Sequence, residues 1–316
     1  MAIQNFVAPE NIKYLGKEAN EIMTKPIYES DLYSYGITYR PGVKGKEQLI
    51  HGNVGDLFQA YTCAFSPSGQ VNLTEQWIEP FDMKINLQEC YDKFWPSFMA
   101  EETRRAYVGE SNIPRTFFEW FFNDVLIKEM KRQYEEIFWN GDKTSGATEM
   151  LKLGDGVVKQ VSAAGNSIKI NGAELTTANI LEQIKAVCEK ADVNVDMEEY
   201  KIFINKGQMK ILLTALGNEK ISNNLVWSNF TREGDKVYAY GFEVVPCRIQ
   251  KDVILLAPRK NLILGYDLES DQTNFQILDL SSVTGDNEFR TIALCNMAVG
   301  IVYPELMVIS KEGLGA

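Results

Sequence analysis

The chain has 316 residues, 45% of them hydrophobic and 24% charged, which suffices for a sizeable core and excludes disorder as the main state. Its 43 acidic side chains outnumber 32 basic ones, giving a net charge of −11. That balance argues against a protein built to grip nucleic acid, because phosphate binding draws on clustered lysine and arginine.

No basic region followed by an apolar core opens the chain, and the longest apolar stretches, such as 292–302, are too short to span a bilayer. The five cysteines (Cys63, Cys90, Cys188, Cys247, Cys295) form no CxxC pair, so reduced thiols and assembly in the cytoplasm are expected. The single histidine, His51, has no second histidine to share a metal or a triad, and is expected on a glycine-flanked surface loop.

In chain order, residues 1–30 read as an extended arm carrying one short amphipathic helix through Ile12, Leu15, Ala19, Ile22 and Met23. Glycine and proline then punctuate short β-prone pieces at 37–40, 47–50 and 60–65, the pattern of a long β-hairpin whose outer part holds Lys44 and Lys46. Strands follow at 71–78 and 81–87, where Phe81, Met83, Ile85 and Leu87 alternate with polar residues. A hairpin this long, with so few apolar positions, is poorly stabilised alone and must pack on something else.

The strongest element is a helix over 116–138. Thr116 and Glu119 make a capping box, and Phe118, Phe122, Leu126, Met130, Tyr134 and Ile137 form one apolar stripe. The run Phe117-Phe118-Glu119-Trp120-Phe121-Phe122 is read as packing rather than a ligand box. Asn140-Gly141-Asp142 stops the helix. Two short strands are expected at 157–161 and 167–170, a helix at 177–192, a strand at 200–205 and a helix at 208–216 ended by Gly217. A polar excursion covers 218–235. Strands return at 237–240, 242–249, 253–257, 262–266, 274–278, 288–296 and 306–310. The order is α+β.

No phosphate-binding loop, nucleophile elbow, zinc-protease helix or dinucleotide fingerprint occurs. The carboxylate pairs Glu101-Glu102, Glu135-Glu136 and Glu198-Glu199 are sequence neighbours that diverge on a helix. The expectation is a structural protein without catalysis, cofactor or metal.

Read in order, these parts resemble the Hong Kong 97-type phage capsid fold, also seen in bacterial encapsulin shells. The resemblance implies an N-terminal arm at 1–30, an extended loop at 31–79, and a peripheral domain at 80–176 around a spine helix with an "NGD" exit. It further implies a β-hairpin at 152–161, an axial domain at 177–285 and a return of 286–316 to the peripheral domain. It implies a major capsid protein of a tailed bacteriophage that assembles with itself into pentamers and hexamers, in an icosahedral or prolate shell around double-stranded DNA. Portal, scaffolding and cement proteins would be partners, DNA contact would be non-specific, and the mature location would be the virion. Without a charged helical pro-segment before the arm, scaffolding would be a separate protein. The alternative is an encapsulin-type compartment. Lys44, Lys46 and His51 are the subunit-interface candidates; some relatives weld this loop to a neighbour through a Lys–Asn bond, but both lysines read as solvated. Phe118, Phe122, Leu126, Met130 and Tyr134 are the spine-core candidates.

Overall fold

The structure is a computed structural model and describes residues 12–15, 26, 30–54, 58, 71–108, 117–192, 196, 199–222, 230–233, 236–267, 274–280 and 284–314. Two compact units emerge. The first takes in described residues of Met1–Ser34, Phe81–Glu135 and Tyr266–Met297; the second, those of Tyr35–Pro80, Glu136–Gly265 and Ala298–Ala316.

The first unit holds an antiparallel ladder. Strand β1 (Ile12–Leu15) pairs with Asn274–Asp279, Ile12 opposite Ile277, and that strand pairs in turn with the leading part of the long strand Glu288–Ile301, Phe275 opposite Ala293. Residues 12–15 are therefore strand, not the start of a helix. Ladder hydrogen bonds to Asn274–Ile277 satisfy the backbone groups along one side of this segment, whereas a short isolated helical turn is marginal alone. The rest of the expected arm helix lies outside the described residues. Against the ladder pack helix α1 (Tyr91–Val108) and the leading half of helix α2, which runs from Phe117 to Asn140. Their core is aromatic: Phe117, Phe121 and Phe289 meet with ring centroids 5.0–6.1 Å apart, with Tyr91 and Phe94 at its edge.

The second unit is built on a mixed sheet of seven strands among the described residues. Its order by residue is 168–171, 308–311, 254–258, 200–205, 242–247, 236–239, 230–233. Tyr200–Asn205 is central and buried on both faces, which is why its sequence reads as a nearly unbroken apolar run. Ile202 and Ile204 meet Ile180, Ile184 and Val187 of α4 (Ile180–Cys188) and Leu212 and Ala215 of α5 (Lys206–Ser222). Phe203 meets Trp139 at 4.8 Å and Tyr35 at 6.2 Å. The Asn205 side-chain oxygen accepts the Gly207 N–H at 2.8 Å, satisfying an orphan donor at the start of α5. Tyr240 and Gly241, both at positive φ, form the two-residue turn that joins Ala239 to Phe242.

Three expectations need correction here. Residues 157–163 are a helix, α3 (Val157–Ala163), not a strand or half a hairpin. Val157, Val158 and Val161 fall on one helical face and are buried, and that packing overrides their β preference. Gly217 does not end its helix, which runs on to Ser222; a glycine inside a helix costs only about 1 kcal/mol, and burial of Leu212 and Ala215 offsets it. The excursion at 218–235 is accordingly helix to Ser222 and strand at Phe230–Glu233, while 223–229 lie outside the described residues. The last strand, Val308–Lys311, pairs with Ile254–Leu256 and with Ile168–Asn171 in the mixed sheet.

Candidate assembly interface

The hairpin comes first. Strand Glu47–Val54 pairs with the first part of the twenty-residue strand Val71–Cys90, in register from Glu47 opposite Ile78 to Val54 opposite Val71. The two strands expected at 71–78 and 81–87 are thus one, running through Pro80. The piece expected at 60–65 lies outside the described residues. At the hairpin's root, Val43, Leu49 and Ile78 are buried with Ile263 and Ala298. Two glycines make room for this root. A Cβ at Gly265 would meet Val43 Cγ2 and Ala298 Cβ at 3.0 Å and Ile78 Cδ1 at 3.2 Å, and a Cβ at Gly300 would meet Ile78 at 3.2–3.3 Å.

Polar residues flank this root: Lys44 and Lys46 follow the buried Val43 and precede Glu47, which stands opposite Ile78, so they lie at the base of the paired strands and not in the outer part of the hairpin. Arg40 pairs with Glu47 at 2.8 Å, and Lys46 Nζ sits 4.8 Å from the ring centroid of Trp77, which is 48% exposed. Lys44 is exposed. His51 lies within a strand, opposite Thr74, and not on a loop; its glycine neighbour is itself in the ladder, opposite Leu73. The His51 side chain is outside the described residues. Sequence reasoning selected the lysines but missed Trp77, the apolar group beside Lys46, because cross-strand proximity depends on register.

The spine helix carries the second set. Its first turn, Phe117–Trp120, and its long second half, Ile127–Asn140, are α-helical, but Phe121–Leu126 is π-helical, with the Ile127 N–H donating to Phe122 O. A π segment contains one residue more than the α-helix it interrupts, so the buried face changes phase across it. Leu126, Met130 and Tyr134 are buried, and the residues that continue their face are Phe117 and Phe121. Phe122 is only half-buried, in an edge-to-face contact with Phe275 at 4.9 Å, and the Phe118 side chain is outside the described residues. Of the expected capping pair, Thr116 and the side chain of Glu119 are outside them too. On the solvent side Lys128 pairs with Asp124 at 3.4 Å, and the Arg132 guanidinium forks onto Glu129.

The helix exit is tight. Asp142 accepts hydrogen bonds from the backbone N–H and hydroxyl groups of Thr144 and Ser145, and Lys159 pairs with it at 3.0 Å. Desolvation pushes this carboxyl up, but the Ser145 and Thr144 donors, with Lys159, outweigh it and hold the carboxyl well below the usual range. Elsewhere, burial pushes the Cys188 thiol up to about 12 and the Cys295 thiol up to about 11, the latter against a hydrogen bond with Tyr134. Among the described residues no three His, Cys, Asp or Glu side chains converge as a metal site would require. None of their helices is long and apolar enough to cross a membrane.

No protein-family model and no curated protein sequence matches the chain. Solved structures do. A chain of the satellite phage P4 procapsid that includes the size determination (Sid) protein overlays with a TM-score of 0.59 at 12% identity, covering 92% of this chain and 97% of that one. A structure from Microbacterium phage Oxtober96 gives 0.52 at 12% identity over 99% and 95%, and the capsid of Cyanophage P-SCSP1u gives 0.52 at 9% over 100% and 93%. The chain has the Hong Kong 97-type capsid fold. What a Hong Kong 97-type chain shares with these structures at 9–12% identity is the order and packing of elements, not a set of side chains. Loose motifs in an ordered series are what such a fold leaves in a sequence.

Proposed function

We propose that this chain is the major capsid protein of a tailed bacteriophage, assembling with itself into the closed shell that encloses a double-stranded DNA genome. The observation that carries this reading is the overlay on the P4 procapsid chain, which leaves little of either chain unmatched. The hairpin supports it: a twenty-residue strand anchored by a small root and bearing a half-exposed tryptophan under a lysine is surface that a single subunit leaves open. Lys44, Lys46 and His51 are assigned to contacts between subunits, and the spine residues to the core that keeps each subunit rigid. The role is structural rather than catalytic. Portal, scaffolding and cement proteins are the proposed partners. DNA would be contacted weakly through local lysines and arginines, given the net charge of −11. Assembly would take place in the host cytoplasm and the product would reside in the virion. An encapsulin-type compartment shares the fold, and no feature of the chain favours it over the virion.

The test is negative-stain microscopy with analytical ultracentrifugation of the expressed chain, alone and with crowding agent. Pentamers, hexamers or closed shells are expected. A protein that stays monomeric to its solubility limit under both conditions would overturn the proposal. Shells that enclose a host enzyme would transfer it to the compartment reading.

A further inference from the structure

The π-helical segment Phe121–Leu126 stands between two stretches of regular α-helix, with Trp120 and Ile127 both in ordinary α conformation. It holds one surplus residue. If the segment relaxed to α-helix while Leu126, Met130 and Tyr134 stayed in place, the part before it would rotate by about 100° and advance by about 1.5 Å. Each side chain there would then be replaced at its site by the next in sequence.

In most helices such a slip would empty the core. Here the sequence reads Phe117-Phe118 and Phe121-Phe122. The two most enclosed ring sites, those of Phe117 against Phe289 at 5.5 Å and of Phe121 against Phe289 at 5.0 Å, would be refilled in kind by Phe118 and Phe122. The Trp120 site, which packs on Phe98 at 5.7 Å, would receive Phe121, another ring. What the slip gives up is the contact of Phe122 with Phe275, since Asn123 would take that place, and the packing of the Trp120 indole, which would move to the place of Glu119. We propose that the start of the spine helix is a two-register switch, π in the state seen and α in the other, which the paired phenylalanines permit by keeping rings in the enclosed sites.

The switch gives the subunit two orientations of its helix start, with an aromatic ring in each of the three enclosed sites in both. Its use in fitting one chain to two shell environments rests on the proposed function; its existence does not. The experiment is ¹⁹F NMR of the full chain, labelled with 5-fluorotryptophan and held below its assembly concentration. Trp120 is assigned through Trp120→Phe. Wild type should show a minor Trp120 resonance or a chemical-exchange contribution. Phe118→Asp makes the α register bury a carboxylate, and deleting Asn123 removes the surplus residue while keeping Phe117 and Phe121 in their sites, so both should leave only the major state. Phe117→Asp should enrich the minor one. A single wild-type resonance with no exchange contribution overturns the switch, as does a minor signal that survives both locking variants. Neither result bears on whether shells form, which microscopy decides separately.

Discussion

The phenol of Tyr134 and the thiol of Cys295 lie 3.3 Å apart in a partly buried contact between the spine helix and the long strand of the first unit. Burial pushes Cys295 up to about 11 and Cys188 up to about 12. Both thiols should therefore resist iodoacetamide at pH 8 in the native protein and react once denatured, as peptide mass spectrometry will read. The sign of the pH dependence follows. The unfolded chain releases these protons near its ordinary value of 9.0 while the folded chain holds them, so stability is full below pH 9 and falls as pH rises toward 11. Denaturant melts that are flat from pH 8 to pH 11 would contradict the burial.

The phase of the spine helix makes an ordering. Phe121→Ala should cost about 3–5 kcal/mol and Leu126→Ala about 2–5 kcal/mol, whereas Phe122→Ala, at a half-buried position, should cost less than Phe121→Ala. Urea unfolding of the three variants decides it. A larger loss at Phe122 than at Phe121 would restore the phase read from the sequence.

Glu243 bridges two lysines, Lys201 at 3.2 Å and Lys236 at 3.0 Å, and Lys201 is itself buried. Desolvation pushes the Glu243 carboxyl up, but the two lysines outweigh it and hold it below its ordinary value. Glu243→Gln would strand the Lys201 charge and should cost about 3–5 kcal/mol. Lys236→Ala, at the exposed end, should cost no more than about 1 kcal/mol. Because the folded carboxyl is the stronger acid, its contribution is present above the unfolded value near 4.5 and lost as pH falls below it. Thermal melts of wild type and Glu243→Gln should accordingly converge in acid.

On the hairpin, Lys46→Ala and Trp77→Ala should each change subunit stability by no more than about 1 kcal/mol, the size of an exposed cation–π contact. Both should nonetheless depress shell yield. Normal particle numbers by microscopy for both variants would remove this face from the proposed interface.

Much of the fold was legible because burial wrote it plainly. Strands 200–205 and 262–266 were read at their observed limits, since both are apolar runs closed by polar or aromatic boundaries. Val157–Ala163 was not, because three valines in seven residues look like a strand until their spacing is matched to a helical face. The spine stripe was half right for a different reason. Paired phenylalanines supply an apolar residue in either phase, so periodicity alone cannot see a π segment between them. Lys46 was found by composition, while Trp77 needed the register of Glu47 with Ile78.

Gly265 and Gly300 lie against Ile78, and neither leaves space for a methyl group at ordinary contact distance. Gly300→Ala should cost about 1–3 kcal/mol, and Ile78→Val in the same chain should return part of it, a coupling that a double-mutant cycle will measure. The consequence is historical as much as mechanical. A lineage that acquires a side chain at 265 or 300 must shed volume at 78 or 43 at nearly the same time, so these positions should drift as a linked set even where the rest of the chain has diverged beyond recognition.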